Sequence, residues 1–219
     1  MRRIIFVFCL LIVCVSLGYF IEKQKKAKKL PVINPKDLKE EMVDPELLRI
    51  GQGHQIGDFE FVNQYNETIT QEEIEGKVFV AEYFFTTCQS ICPVMNKQMM
   101  RVQEKFKEEG KVKILSFTVD PDIDSSEQLL RYSKTLNTKK EQWHFLTGEK
   151  EDLYRLARRS FFILKPAEAQ NLGDAGSDFI HTNNFVLVDQ KKRIRGYYDG
   201  TNEKEVTKLL GDISLLLDE

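Results

Sequence analysis

The segment that most constrains the fold runs from Lys77 to Phe85, where VFVAEYFF sets aromatic and β-branched side chains in one short, nearly uninterrupted run. That length and composition predict a strand buried on both faces in the middle of a sheet. Cys88 and Cys92 follow at once, and after Pro93 the apolar residues Met95, Met99, Val102 and Phe106 recur at spacings of four, three and four. This is the stripe of an amphipathic helix, which is expected to close near Gly110. A central strand therefore runs through a cysteine loop into a helix.

The rest of the chain alternates in the same way. Asp58 to Phe61 and Glu67 to Thr70 read as a small β-hairpin around Asn63 to Asn66. Thr70 with Glu73 resembles a capping box for a short turn that ends at Gly76. Strands are expected at Val112 to Val119, around His144 to Leu146, at Phe185 to Val188 and from Arg193 to Tyr198. Helices are expected from Ser125 or Ser126, from Glu149 to Arg159, and from Asn202 to Leu217. A βαβ unit followed by an antiparallel hairpin and a terminal helix predicts an α/β, thioredoxin-like fold with an N-terminal β-hairpin, occupying residues 51–219 as one domain.

The N-terminus has a different chemistry. From Ile4 to Ile21 the chain carries no charge and follows Arg2 and Arg3, the order of an export signal. The run is just long enough to span a bilayer, and Tyr19, Phe20 and Ile21 continue it past the small residues at Ser16 and Gly18, so residues 1–22 are expected to stay attached as a single transmembrane helix. Lys23, Lys25, Lys26, Lys28 and Lys29 follow and pull toward the cytoplasmic side, but the leading Arg pair favours export of the domain to the periplasmic side of an inner membrane. Residues 23–50, charged and carrying Pro31, Pro35 and Pro45, are expected to be a semi-rigid linker.

The formal net charge of −2, from 32 basic and 34 acidic residues, supplies no global field for nucleic acid. Of four cysteines, Cys9 and Cys14 sit in the apolar run, whereas Cys88 and Cys92 sit in Cys-Gln-Ser-Ile-Cys-Pro. The wider spacing than Cys-x-x-Cys would bring two sulfurs to one side if the helix already enclosed both, and a helix N-terminus favours thiolates. Two thiolates leave a metal under-coordinated. Of three histidines, His181 lies at the head of the Phe185 strand, where thioredoxin relatives turn a loop toward their redox cysteines. Two thiolates and an imidazole suit copper, whereas structural zinc would want a fourth ligand. His54 and His144 read as structural, the methionines of the helix as core packing, and Asp120 as a residue that either positions the site or starts a turn.

The sequence resembles the Sco/SenC family from about His54 to the end. The resemblance rests on DFEFVNQ at Asp58, FFTTCQSICPVM, FTVDP at Phe117, FLTG at Phe145, and His181-Thr182 before a strand ending Val188-Asp189. It implies a thioredoxin fold, copper bound by Cys88, Cys92 and His181, and delivery of that copper to the copper-bearing subunit of cytochrome c oxidase or another copper client from a single-anchored domain. Relatives often carry an acidic residue directly before the histidine, where this chain has Ile180, with Asp178 nearby. Two functions remain open on these residues: a metallochaperone without turnover, or a thiol-disulfide oxidoreductase using Cys88 and Cys92 as a catalytic redox pair.

Overall fold

The computed structural model describes residues 10, 12–18, 29–163 and 182–219. Residues 1–30 and 31–219 are separate units. In the first, residues 12–18 are helical. Among the described residues no helix is long and apolar enough to cross a membrane, and most of the rest of the Ile4 to Ile21 run lies outside them.

The second unit is built on one seven-stranded sheet. Its strands are β1 (Glu60–Asn63), β2 (Thr68–Thr70), β3 (Val78–Phe84), β4 (Val112–Thr118), β5 (Trp143–Thr147), β6 (Asn184–Val188) and β7 (Ile194–Asp199), in the spatial order β2-β1-β5-β4-β3-β6-β7. The helices are α1 (Cys92–Lys105), α2 (Ser126–Thr135), α3 (Lys150–Arg159) and α4 (Glu203–Leu217). β3, β4 and β5 are parallel, with Val78 opposite Val112 and Phe84 opposite Thr118. All residues of β3 and β4 are buried, as their apolar runs require of strands covered on both faces.

The expected N-terminal hairpin forms from β1 and β2, and β1 also pairs antiparallel with β5 through Val62–Thr147 and Asn63–Leu146, extending the main sheet. Two expectations are corrected. Thr70 caps its short turn by accepting from the Glu72 N–H at 3.3 Å, but no capping box forms around Glu73: its carboxylate meets Lys77 at 3.3 Å and also pairs with Lys113. Stronger charge partners on neighbouring elements win over the local backbone N–H.

The stretch 31–50 is not a free linker, since it belongs to the compact unit. Pro35 opens the first of its 3-10 turns, and Val43 and Leu47 join the core cluster that includes Ile56 and Ile194. The Ile33 N–H donates to the Ile194 carbonyl at 2.9 Å, and Arg195 Nε donates to the Pro31 carbonyl at 3.1 Å. Val43 is 1% exposed. Isolated apolar residues in a charged segment hide this docking from a compositional reading, yet each buried one contributes on the order of 2 kcal/mol.

The core itself is aromatic. Phe117 stacks on Tyr83 at 5.2 Å and meets Phe59, Phe61 and Phe161 at 5.7 to 6.0 Å. On the other face Trp143, Phe145 and Phe84 lie against α1 and α2 residues such as Tyr132. These two layers hold rigid the C-terminal ends of β3 and β4, from which the cysteine loop and the loop after β4 depart.

Candidate metal centre

The cysteine pair sits where β3 gives way to α1, but not as two neighbours on a helix face. α1 begins at Cys92, so Cys88 lies in the preceding loop, and the sulfurs meet because the loop folds back. Its first bend is held by the Cys88 N–H donating to the Phe85 carbonyl at 3.2 Å. Ile91 precedes the helix and has no polar side chain with which to cap it. The Cys88 sulfur lies at this helix start, 3.6 Å from Ser90 Oγ and near enough to the Cys92 and Ser90 amides for them to lower its pKa. Pro93 occupies an early helical position, where its missing N–H costs nothing.

This geometry splits the two thiols, both of which are free. Burial raises the Cys88 pKa, but hydrogen bonds from the Cys92 side chain and from the Cys92 and Ser90 amides more than offset it and bring it down to about 7. Cys92, only 3% exposed, is pushed up to about 12 by burial and by the Cys88 sulfur beside it. The result is one partly exposed sulfur ready to ionise and one buried sulfur behind it, which is the environment expected of a functional thiol pair.

Beneath the pair, Glu82 in β3 is buried and accepts from Ser116 Oγ at 2.6 Å. Burial raises its pKa to about 7. Trp143 Nε1 donates to the same serine at 2.8 Å, and Asn96 of α1 donates to Tyr132 Oη at 2.5 Å. The Glu82 charge acts on both Cys92 and Tyr132. Glu82 was missed in the sequence, although one acid inside a run as apolar as VFVAEYFF was a visible signal.

His181 lies outside the described residues, as do Ile180 and Asp178. Among the described residues no group of three His, Cys, Asp or Glu side chains is placed to hold a metal ion. Thr182, the next residue, is buried and accepts from the Asn184 N–H at 3.1 Å. β6 runs antiparallel to β3 with Ala81 opposite Val186, which brings the head of β6 to the end of β3 that leads to Cys88. The other two histidines are structural. His54 Nε2 hydrogen-bonds the Ser160 carbonyl at 2.9 Å, and His144 is buried beside Asn63 and Glu73, its pKa pushed down to about 4 by burial. Met95 and Met99 are core residues, as their spacing predicts, but Met100, next to Met99 and off that stripe, is exposed and is not core packing.

The SCO1/SenC family matches residues 49–214, which span the whole sheet and the cysteine loop. The chain belongs to the SCO1/SenC family. Within it, the SCO1 protein homolog of Bacillus subtilis is 30% identical over 163 residues, covering 73% of this chain and 81% of the relative. BsSco, described as a member of the Sco family of cytochrome c oxidase assembly proteins with a disulfide switch, superposes with a TM-score of 0.63 at 28% identity, covering 76% of this chain and 95% of its own. Copper-bound ScoI of Arabidopsis thaliana shares the fold, with a TM-score of 0.57 at 22% identity over 74% of this chain and 98% of that one. The thioredoxin-type α/β fold expected of this SCO1/SenC chain is thus the observed one.

Proposed function

We propose that this SCO1/SenC protein is a membrane-tethered copper metallochaperone that carries copper on Cys88, Cys92 and His181 and delivers it to the copper-bearing subunit of a cytochrome c oxidase. The observation that carries this reading is the convergence of two free sulfurs at the uncapped start of α1, one half-exposed with a pKa near 7 and one buried. Two soft donors at one spot fit copper as cargo, in its monovalent state above all. In this reading the imidazole of His181, next in sequence to Thr182, completes the set and makes the divalent state tolerable. The oxidase client is supported by the assembly role described for BsSco.

The tether is the Ile4 to Ile21 run, retained as a single span of the inner membrane with the domain on the periplasmic side. A second reading is favoured by the asymmetry of the thiols: an accessible, acidic Cys88 in front of a buried Cys92 is also the arrangement of an attacking and a resolving thiol. Under it the chain is an enzyme that reduces the cysteines of an exported client.

Replacing His181 by alanine separates the two. The carrier loses most of its divalent copper and its oxidase maturation, while the Cys88–Cys92 disulfide still forms and is still reduced. Normal oxidase assembly and copper retention in His181→Ala, with assembly abolished in Cys88→Ser or Cys92→Ser, would replace the carrier by the reductase.

A further inference from the structure

Asp124 lies at the end of the loop between β4 and α2 and is 0% exposed. A carboxylate taken fully out of water must be held by good donors, because its desolvation is costly. Its donors are distinctive. Thr86 gives both its hydroxyl, at 2.5 Å, and its backbone N–H, at 3.1 Å, and Thr118 gives its hydroxyl at 2.5 Å. The Thr86 hydroxyl also accepts from Gln128 Nε2 at 3.1 Å, so its orientation is fixed from both sides. Asp124 is itself tied back by its N–H to the Asp120 carbonyl at 2.9 Å.

Thr86 is the second residue before Cys88, in the half of the loop that precedes the helix. Cys92 takes its place from α1. Cys88 is held from within the loop: its own N–H reaches Phe85 at 3.2 Å, and its sulfur lies 3.6 Å from Ser90 Oγ and beside the Cys92 and Ser90 amides. Thr118 stands opposite Phe84 in the β4–β3 register, so Asp124 bridges the fixed end of the central strands and the start of the cysteine loop.

We propose that Asp124, acting through Thr86, is the positioning residue that sets Cys88 against Cys92 and so governs how readily the two sulfurs act together. For copper binding the proposal rests on the carrier reading above; for closure of the disulfide it does not. Orientation of this kind raises the effective concentration of one sulfur at the other, and releasing the loop lowers it for both processes.

The test uses the full chain in detergent with Cys9 and Cys14 replaced by serine in every variant, and reads the Cys88–Cys92 pair at equilibrium with glutathione. In that exchange the two thiols give two electrons and two protons to glutathione disulfide, which becomes two glutathiones, and one S–S bond forms as another breaks. Thr86→Val and Asp124→Asn are expected to shift the equilibrium toward the dithiol by about fivefold, with Thr86→Ser restoring it to within about twofold. Thr118→Val removes the other hydroxyl donor and is expected to lower the urea midpoint while leaving the equilibrium within about twofold of the parent.

If Thr86→Val leaves the equilibrium unmoved, or Thr118→Val moves it as far as Thr86→Val does, the effect is general loosening or nothing, and the positioning role is overturned. Should Asp124→Asn fail to fold, the two threonine variants decide alone. Copper titration of the parent is run beside them: failure to bind copper there ends the carrier reading and leaves the disulfide result standing.

Discussion

Ser116 Oγ donates to Glu82 Oε1 at 2.6 Å across the β3–β4 pair, leaving Glu82 Oε2 buried without a hydrogen-bond partner among the described residues. One donor cannot replace the water that an ionised carboxylate loses. Burial therefore raises the Glu82 pKa from 4.5 to about 7. The raised value means that the unfolded chain releases this proton at lower pH than the fold does. The group thus costs nothing at pH 4, costs progressively more as pH rises from about 4.5 to about 7, and costs up to about 3 kcal/mol above that. Glu82→Gln should accordingly stabilise the fold by about 1–3 kcal/mol at pH 8 and by almost nothing at pH 4. Urea unfolding at the two pH values checks this, and an equal effect at both would show that Glu82 ionises normally.

The two thiols should also differ in reaction. Cys88 has its pKa near 7 and is partly exposed, whereas Cys92 is buried with its pKa near 12. Because the thiolate is the reacting form, iodoacetamide should modify Cys88 roughly tenfold or more faster than Cys92 at pH 7. The Cys88 rate should climb between about pH 6 and 8 and then level off. Peptide mass mapping of briefly treated, reduced protein reads both rates, and equal labelling would contradict the geometry of the loop.

The docking of residues 31–50 makes a third prediction. Val43→Ala removes two methyl groups from a closed site and should cost about 2 kcal/mol, while Lys36→Ala, on an exposed side chain, should cost almost nothing. Removing residues 1–30 should leave the unfolding midpoint in place, and removing residues 1–50 should lower it. Identical midpoints for the two truncations would return this stretch to the role of linker.

Much of this architecture is legible in the sequence because periodicity and burial agree. The run at Lys77 to Phe85 is β3, and the four-three-four stripe of Met95, Met99, Val102 and Phe106 is the buried face of α1 and its end. What periodicity cannot give is where a helix begins. Cys88 and Cys92 are four apart in either case, and only the loop geometry puts Cys88 before the helix and not in its first turn. Nor does composition expose Asp124. In Asp120-Pro121-Asp122-Ile123-Asp124-Ser125 three acids read as a solvated turn, and the buried one is singled out only by Thr86 and Thr118, which are distant in sequence or on another element. Val43 was hidden for the same reason, since its environment is supplied by segments far along the chain.

The bonds from Ile33 to Ile194 and from Arg195 to Pro31 lie along β7, the outermost strand on its side of the sheet. A bare edge strand is a template on which another copy can continue the sheet. Here residues 31–33 lie against one end of that template. The residues that enter the fold first therefore also cover part of its sheet edge, and a proteolytic cut within 31–50 would open that part to pairing with another copy.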